Sequence, residues 1–307
     1  MTMKRSSSRK LSLEQFENRQ LLAGNVFASV DSGGDLHLRG DDRGNGVQIA
    51  QVRTSLGVPV RGSYLITGQS ADGSATTING QASVFVRNVT DDVLIDLRGG
   101  GDLLITPSGF GQVFFADDVA ISLGEGNNTV VLRNISTRDD VSINGGSGND
   151  QIFIEGCRVG NTTANPDADF TANTFGGFDG VSLRNSLVRD DVTIDTGLGN
   201  FADSVSLQTG NVGDDVTIRT HEGADTVIVD HININDDLLV DTGSGNDRLT
   251  MRDSDADELF AFMGSDNDRV ELTNTFGRRG TLNGGSGVDS LSMSNAAFDE
   301  FFSTSGI

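Results

Sequence analysis

The stretch that decides the fold is Asp214 to Met251, DDVTIRTHEGADTVIVDHININDDLLVDTGSGNDRLTM. It holds the apolar pairs Val216/Ile218, Val227/Val229, Leu238/Val240 and Leu249/Met251, each starting 11 residues after the last. Within a pair the spacing is two, which places both side chains on one face of a strand. An acid stands two residues before each pair: Asp214, Asp225, Asp236 and Asp247. The unit is Asp-x-apolar-x-apolar followed by six linking residues. An 11-residue period also suits a right-handed helical coiled coil. Gly-rich turns and β-branched residues at period two point to strands instead.

Working outward, the same register runs Asp91, Asp102, Asp117, Asn128, Asp139, Asp150, Ala168, Asp179, Asp190, Asp203, Asp214, Asp225, Asp236, Asp247, Glu258, Asp268, Gly280 and Asp289. Long steps from Asp102 to Asp117 and from Asp150 to Ala168 mark loop insertions. One unit supplies one short strand and cannot close a core. Two units, 22 residues, make one coil, and coils stack at roughly 4.8 Å. Alternate acids then fall on opposite edges. One edge carries the Gly-rich turns before Asp102, Asp150, Asp247 and Asp289. The other carries Asp91-Asp92, Asp117-Asp118, Asp139-Asp140, Asp190-Asp191, Asp214-Asp215 and Asp236-Asp237. The expected fold is an all-β, right-handed parallel β-helix of about a dozen coils, its hand following the usual chirality of parallel connections.

Composition agrees with a thin core repeated along an axis. Of 307 residues, 36% are hydrophobic and 6% aromatic, with 40 Gly, one Tyr and no Trp. The net charge of −22 argues against nucleic acid and favours cations. Cys157 is alone, so no internal disulfide forms, and no apolar run is long enough to span a bilayer.

The chain divides by charge and register. Residues 1–24 carry Lys4, Arg5, Arg9, Lys10 and Arg19 against Glu14 and Glu17, a net +3 that leaves −25 on the rest. They are expected to be a disordered basic segment. Within it, FENRQLLAG (16–24) resembles the LEPR-XLL motif of large bacterial surface and exported proteins. It keeps the Glu, the Arg and the Leu-Leu, with Phe for Leu and Asn for Pro. The resemblance implies export to the cell surface or the extracellular medium. In residues 25–90, Leu36/Leu38, Val47/Ile49 and Val58/Val60 step by 11 before the register lapses, which reads as an opening cap. Residues 91–296 are expected to form the regular solenoid, and 297–307, which begins within AAFDEFF (296–302), a closing cap.

The register acids should point inward at the turns, stacked about 5 Å apart. Neighbouring charges at that spacing repel by roughly 3–4 kcal/mol at an effective dielectric of 20. Bound cations, turn N–H groups or interleaved Arg would each answer the repulsion. GGSGNDQIF (145–153), TGSGNDRLT (242–250) and GGSGVDSLS (284–292) resemble the RTX nonapeptide GGxGxDxUx of calcium-binding β-rolls. The resemblance implies Ca²⁺ held by turn carbonyls together with Asp150, Asp247 and Asp289, and with Asp102, Asp225 and Asp268 by extension. The departures are the period of 11 and the restriction of Gly-x-Gly-x-Asp to one edge. Without a cation, the same residues would cap turn amides. The second acid of each Asp-Asp pair is expected to face solvent.

Catalytic signals are sparse. His37, His221 and His231 have no metal-ligand spacing, and His221 and His231 read as solvated turn residues. Cys157 reads as a buried thiol, and Phe260/Phe262, in register after Glu258, as core. The expected function is a non-catalytic extracellular or cell-surface protein, structural or adhesive, binding Ca²⁺ and facing surface or matrix components. The alternative is a β-helix polysaccharide lyase or glycoside hydrolase working through carboxylates on a solenoid face.

Overall fold

In a computed structural model, residues 24–71, 73–109, 111–160 and 166–307 are described; the segment resembling LEPR-XLL lies outside them except for Gly24. The chain winds into a right-handed parallel β-solenoid of about nine turns with coils of ~22 residues. Among the described residues a 13-stranded sheet and a 16-stranded sheet form its main sides, and from Val93–Asp96 onward the longer strands alternate between them. Leu238/Val240 stack on Val216/Ile218 in one sheet, and Leu249/Met251 stack on Val227/Val229 in the other. All eight side chains are 0% exposed. The pairwise spacing of the sequence is thus the inward face of two facing sheets.

A short third side completes each coil. From Thr129–Arg133 onward the chain bends within or after the strands of the 16-stranded sheet at a left-handed residue: Asn134, Gly156, Asn185, Thr209, His231, Asp253, Asn274 and Asn295, with φ between 44° and 66°. Asn and Asp tolerate that conformation because their side chains bond locally. Cys157 packs behind this bend at 3% exposure, and burial pushes its thiol up to about 12. That thiol is inert packing.

The ends differ from the middle, which is why the turns number fewer than a dozen. Leu36/Leu38 stack in parallel on Val93/Ile95, and Val47 on Leu104, as true coil strands. Val58 and Val60 do not continue them. They lie 55% and 37% exposed, just before and at the start of Pro59–Ala71, a strand folded antiparallel onto Gly46–Arg53. Asn25–Val30 likewise runs antiparallel to Leu36–Arg39. Both hairpins cover the first parallel edges, which would otherwise offer unpaired amides. At the other end, Ser290–Ser294 and Ala297–Ser305 add the last parallel strands of the two sheets.

One register expectation is corrected. Leu238 and Val240 align with Leu259 and Ala261, so Phe260 and Phe262 face outward, Phe262 at 37% exposure. The coil from Asp247 to Asp268 is one residue shorter than its predecessor. Glu258 therefore occupies the place of Asp237, not Asp236, and the side chains of Glu258–Phe262 invert their faces relative to that expectation.

Candidate functional site

The Gly-rich edge is built by two left-handed residues, four and two positions before the acid. At Asp150 these are Gly146 and Gly148 (φ 87° and 125°), and at Asp247 they are Gly243 and Gly245 (φ 83° and 130°). A Cβ on Gly245 would lie 1.4 Å from the Gly223 carbonyl oxygen of the coil below. Backbones stack too closely there for any side chain. The incomplete motifs keep the geometry: His221 and Phe175 take φ 66° and 65° at the first position, and Asp266 takes 81° at the second.

This turn aims the register acid inward, and the acids form a hydrogen-bonded ladder. The Asn45 N–H donates to Asp102 Oδ1 (2.7 Å), and that of Asp102 to Asn128 Oδ1 (2.9 Å). The Asn128 N–H reaches Asp150 Oδ1 (2.9 Å), and that of Asp150 reaches Asp179 Oδ1 (2.7 Å). The series continues at 2.8–2.9 Å through Asp203, Asp225, Asp247 and Asp268 to Asp289. All six residues that the RTX resemblance singles out belong to this column. Asn45 escaped the sequence reading, although it precedes Val47 by the same two residues as every other rung.

One carboxylate oxygen per rung accepts that amide; the second is a different matter. Oδ2 of Asp150, Asp179, Asp225, Asp247, Asp268 and Asp289 is buried without a hydrogen-bond partner. Burial is the main cause that raises these acids, Asp150 and Asp247 to about 7 and Asp179, Asp225 and Asp268 to about 6. The accepted amide opposes it, whereas the Thr174 and Thr242 hydroxyls beside Asp179 and Asp247 donate to the carbonyls of Thr196 and Met263 (3.2 and 3.1 Å) and leave Oδ2 without a donor. Where the rung is Asn the matching atom is an amide nitrogen and has partners. Asn128 Nδ2 donates to the carbonyls of Gly124, Gly126 and Gly145 at 3.3, 3.0 and 3.1 Å. Asn45 Nδ2 donates to those of Asp41, Arg43 and Leu97 at 3.0, 2.5 and 3.2 Å.

The opposite edge carries a second ladder, made by the acids expected to be merely solvated. Asp118 N–H donates to Asp92 Oδ1, Asp140 to Asp118, Asp169 to Asp140, Asp191 to Asp169, Asp215 to Asp191 and Asp237 to Asp215, at 2.9–3.2 Å. Each acid immediately precedes its core strand, so it sits half-buried over the turn. Asp169 is the rung beside Ala168, so the ladder does not lapse there. The amides point toward earlier coils here and toward later coils on the Gly-rich edge. Carboxylates also converge on this edge: Asp117, Asp118 and Asp139 bring oxygens within 4.8 Å of one another, as do Asp169, Asp190 and Asp191. Burial first, then neighbouring acids, push Asp118, Asp190 and Asp237 up to about 6. Arg enters where the ladder ends, Arg278 bonding Asp257 and Glu258.

The histidines are scattered. His221 Nε2 lies 2.9 Å from Asp195, His231 Nδ1 2.8 Å from Asp230, and His37 Nε2 3.5 Å from Asp31. Around His221 the turns expose Phe175, Phe178, Leu198 and Phe201, an apolar patch legible as FGGFD and GLGNF where Gly, Ser and Asn otherwise stand.

Comparison with protein families, with characterised proteins and with solved structures finds no significant match for this chain. No helix among the described residues is long and apolar enough to cross a membrane.

Proposed function

We propose that this chain is a non-catalytic extracellular or cell-surface solenoid, structural or adhesive, whose Gly-rich edge is stabilised by Ca²⁺. The observation that carries the reading is the column of buried Oδ2 atoms with no donor. Each belongs to a turn rich in backbone carbonyls, and the donor set is all hard oxygen, which suits Ca²⁺. Asp150, Asp225, Asp247, Asp268 and Asp289 would hold the ion with the carbonyls of their turns; Asp102 occupies the same column. The ion would neutralise charge that burial otherwise penalises. Because such a site exists only when coils are stacked, binding free energy is folding free energy. The N-terminal resemblance supports exposure to an outside medium, where calcium is plentiful.

Repetition supports the non-catalytic part. Acids recur in equivalent surroundings along each edge, which suits a scaffold. One observation favours the second reading, a polysaccharide lyase or glycoside hydrolase: Asp118, Asp190 and Asp237 are raised towards the range of a general acid.

The test combines equilibrium dialysis of the purified chain against ⁴⁵Ca²⁺ with protease shaving of intact source cells. Saturable binding and loss of the protein on shaving support the proposal. No binding, or protection from the protease, removes the calcium or the surface part respectively. Turnover of an acidic or neutral polysaccharide by the same preparation would replace the scaffold with the enzyme.

A further inference from the structure

The two asparagine rungs show what each turn asks of its ladder residue. At Asn45 and at Asn128 the δ2 nitrogen faces three carbonyl oxygens. Two come from its own turn, four and two residues back, and one from the start of the next coil's turn. The assignment of nitrogen at this position is forced at Asn128, because Oδ1 must accept the Asp102 N–H. Strand register is continuous from Asn128 through Asp150 to Asp179 and beyond, so equivalent turns stack with equivalent carbonyls. At an Asp rung the same nest meets an oxygen. Acceptor faces acceptor, and Oδ2 has no donor at Asp150, Asp179, Asp225, Asp247 and Asp268, residues 0–2% exposed. Thr relieves part of this in some coils: the Thr242 hydroxyl donates to Met263 O (3.1 Å), the carbonyl an Asn rung would reach. Gly145, before Asp150, offers no such donor.

We propose that ladder identity sets cation demand coil by coil. Asn45 and Asn128 fill their carbonyl nests with their own amide and take no ion, whereas Asp150, Asp179, Asp225, Asp247, Asp268 and Asp289 each require one. This rests on the calcium reading above and adds to it a map of which turns are loaded. It also divides the solenoid. Two of the first three rungs are Asn and every rung from Asp150 onward is Asp, so cation demand concentrates in the later coils. Filling a nest by amide needs no metal, so one substitution exchanges one device for the other.

The test uses the full chain with Ca²⁺ as the probe, in two variants that keep Oδ1 and therefore the ladder. Asp150→Asn/Asp225→Asn/Asp247→Asn is expected to bind one fewer Ca²⁺ per substitution by equilibrium dialysis. In EGTA its coils from Asp150 to Asp247 should exchange amide hydrogen at least tenfold more slowly than those of the wild type. Asn128→Asp is expected to bind one more Ca²⁺ and to melt lower in EGTA, with recovery in Ca²⁺. Calcium bound by the wild type with a stoichiometry that neither variant changes overturns the map and leaves the calcium reading standing. A wild type that binds no Ca²⁺ overturns both. A triple variant that exchanges faster than the wild type in EGTA overturns the nest argument itself.

Discussion

Asn128→Ala isolates the ladder from any question of metal. The substitution leaves the Asp102 N–H, now 2.9 Å from Asn128 Oδ1, buried without an acceptor. It also strips the amide from the carbonyls of Gly124, Gly126 and Gly145. An orphaned buried donor costs about 1–3 kcal/mol, and net loss of the weaker contacts adds about 0.5–1.5 kcal/mol, so the local penalty is about 1.5–4.5 kcal/mol. Stability in a stacked repeat is a sum of local terms, so the effect should concentrate at neighbouring coils. Native-state hydrogen exchange reads it directly. With a tenfold change per ~1.4 kcal/mol, the Asp102 amide should exchange about 10- to 1,600-fold faster. Asn127→Ala is the control. Asn127 Oδ1 accepts the Asn149 N–H at 2.8 Å but is exposed, so water replaces it and the change should stay within about 1 kcal/mol. Equal exchange at Asp102 in both variants would refute the ladder as a source of stability.

Other perturbations test neighbouring steps of the argument. Leu249→Ala, at a side chain 0% exposed, should cost about 2–5 kcal/mol in urea unfolding, whereas Phe260→Ala on the outward face should cost about 1 kcal/mol or less; comparable losses would contradict the register after Asp247. Gly243→Ala puts a Cβ 1.9 Å from His221 O at φ 83° and should destabilise by more than the about 1–2 kcal/mol of the conformation alone. Gly73→Ala, at φ 79° in open space, should show that conformational cost and no more. On the Asp-Asp edge, Asp118, Asp190 and Asp237 lie near 6 against an unfolded value near 4, so the native state binds protons more tightly. Their contribution is complete below about pH 4 and is lost as pH rises through 6. Asp31, Asp257 and Glu271, lowered by hydrogen bonding, act oppositely and weaken the fold only at more acid pH. In EGTA the urea midpoint should therefore be higher near pH 5 than near pH 8; a midpoint that climbs steadily to pH 8 would contradict the assignment.

The fold was legible because its two controlling signals are local. Apolar residues two apart specify a strand face, and acids recurring every 11 residues specify the coil. What escaped depends on single-residue offsets. Val58/Val60 matched the period but lie in a hairpin that covers an edge, since a first coil has no earlier neighbour to stack on. Phe260/Phe262 matched the acid register, yet one missing residue in the bend before them turned both outward. The Gly-rich edge was readable from Gly-x-Gly-x-Asp because left-handed residues are costly for most side chains. The Asp-Asp edge was misjudged for a related reason. Sequence separates an inward acid from an outward one, but does not show that an outward acid still reaches the amide of an adjacent coil. Asn45 and Asn128 carried the most information about the site, and composition weighs them least.

The most direct measurement is thermal unfolding of the full chain by circular dichroism, first in EGTA and then in millimolar Ca²⁺. The midpoint is expected to rise steeply with Ca²⁺, and the gain to shrink in the Asp150→Asn/Asp225→Asn/Asp247→Asn variant. A chain equally folded and equally stable in EGTA would contradict the calcium reading, leaving the Gly-rich column as a ladder of amide caps alone.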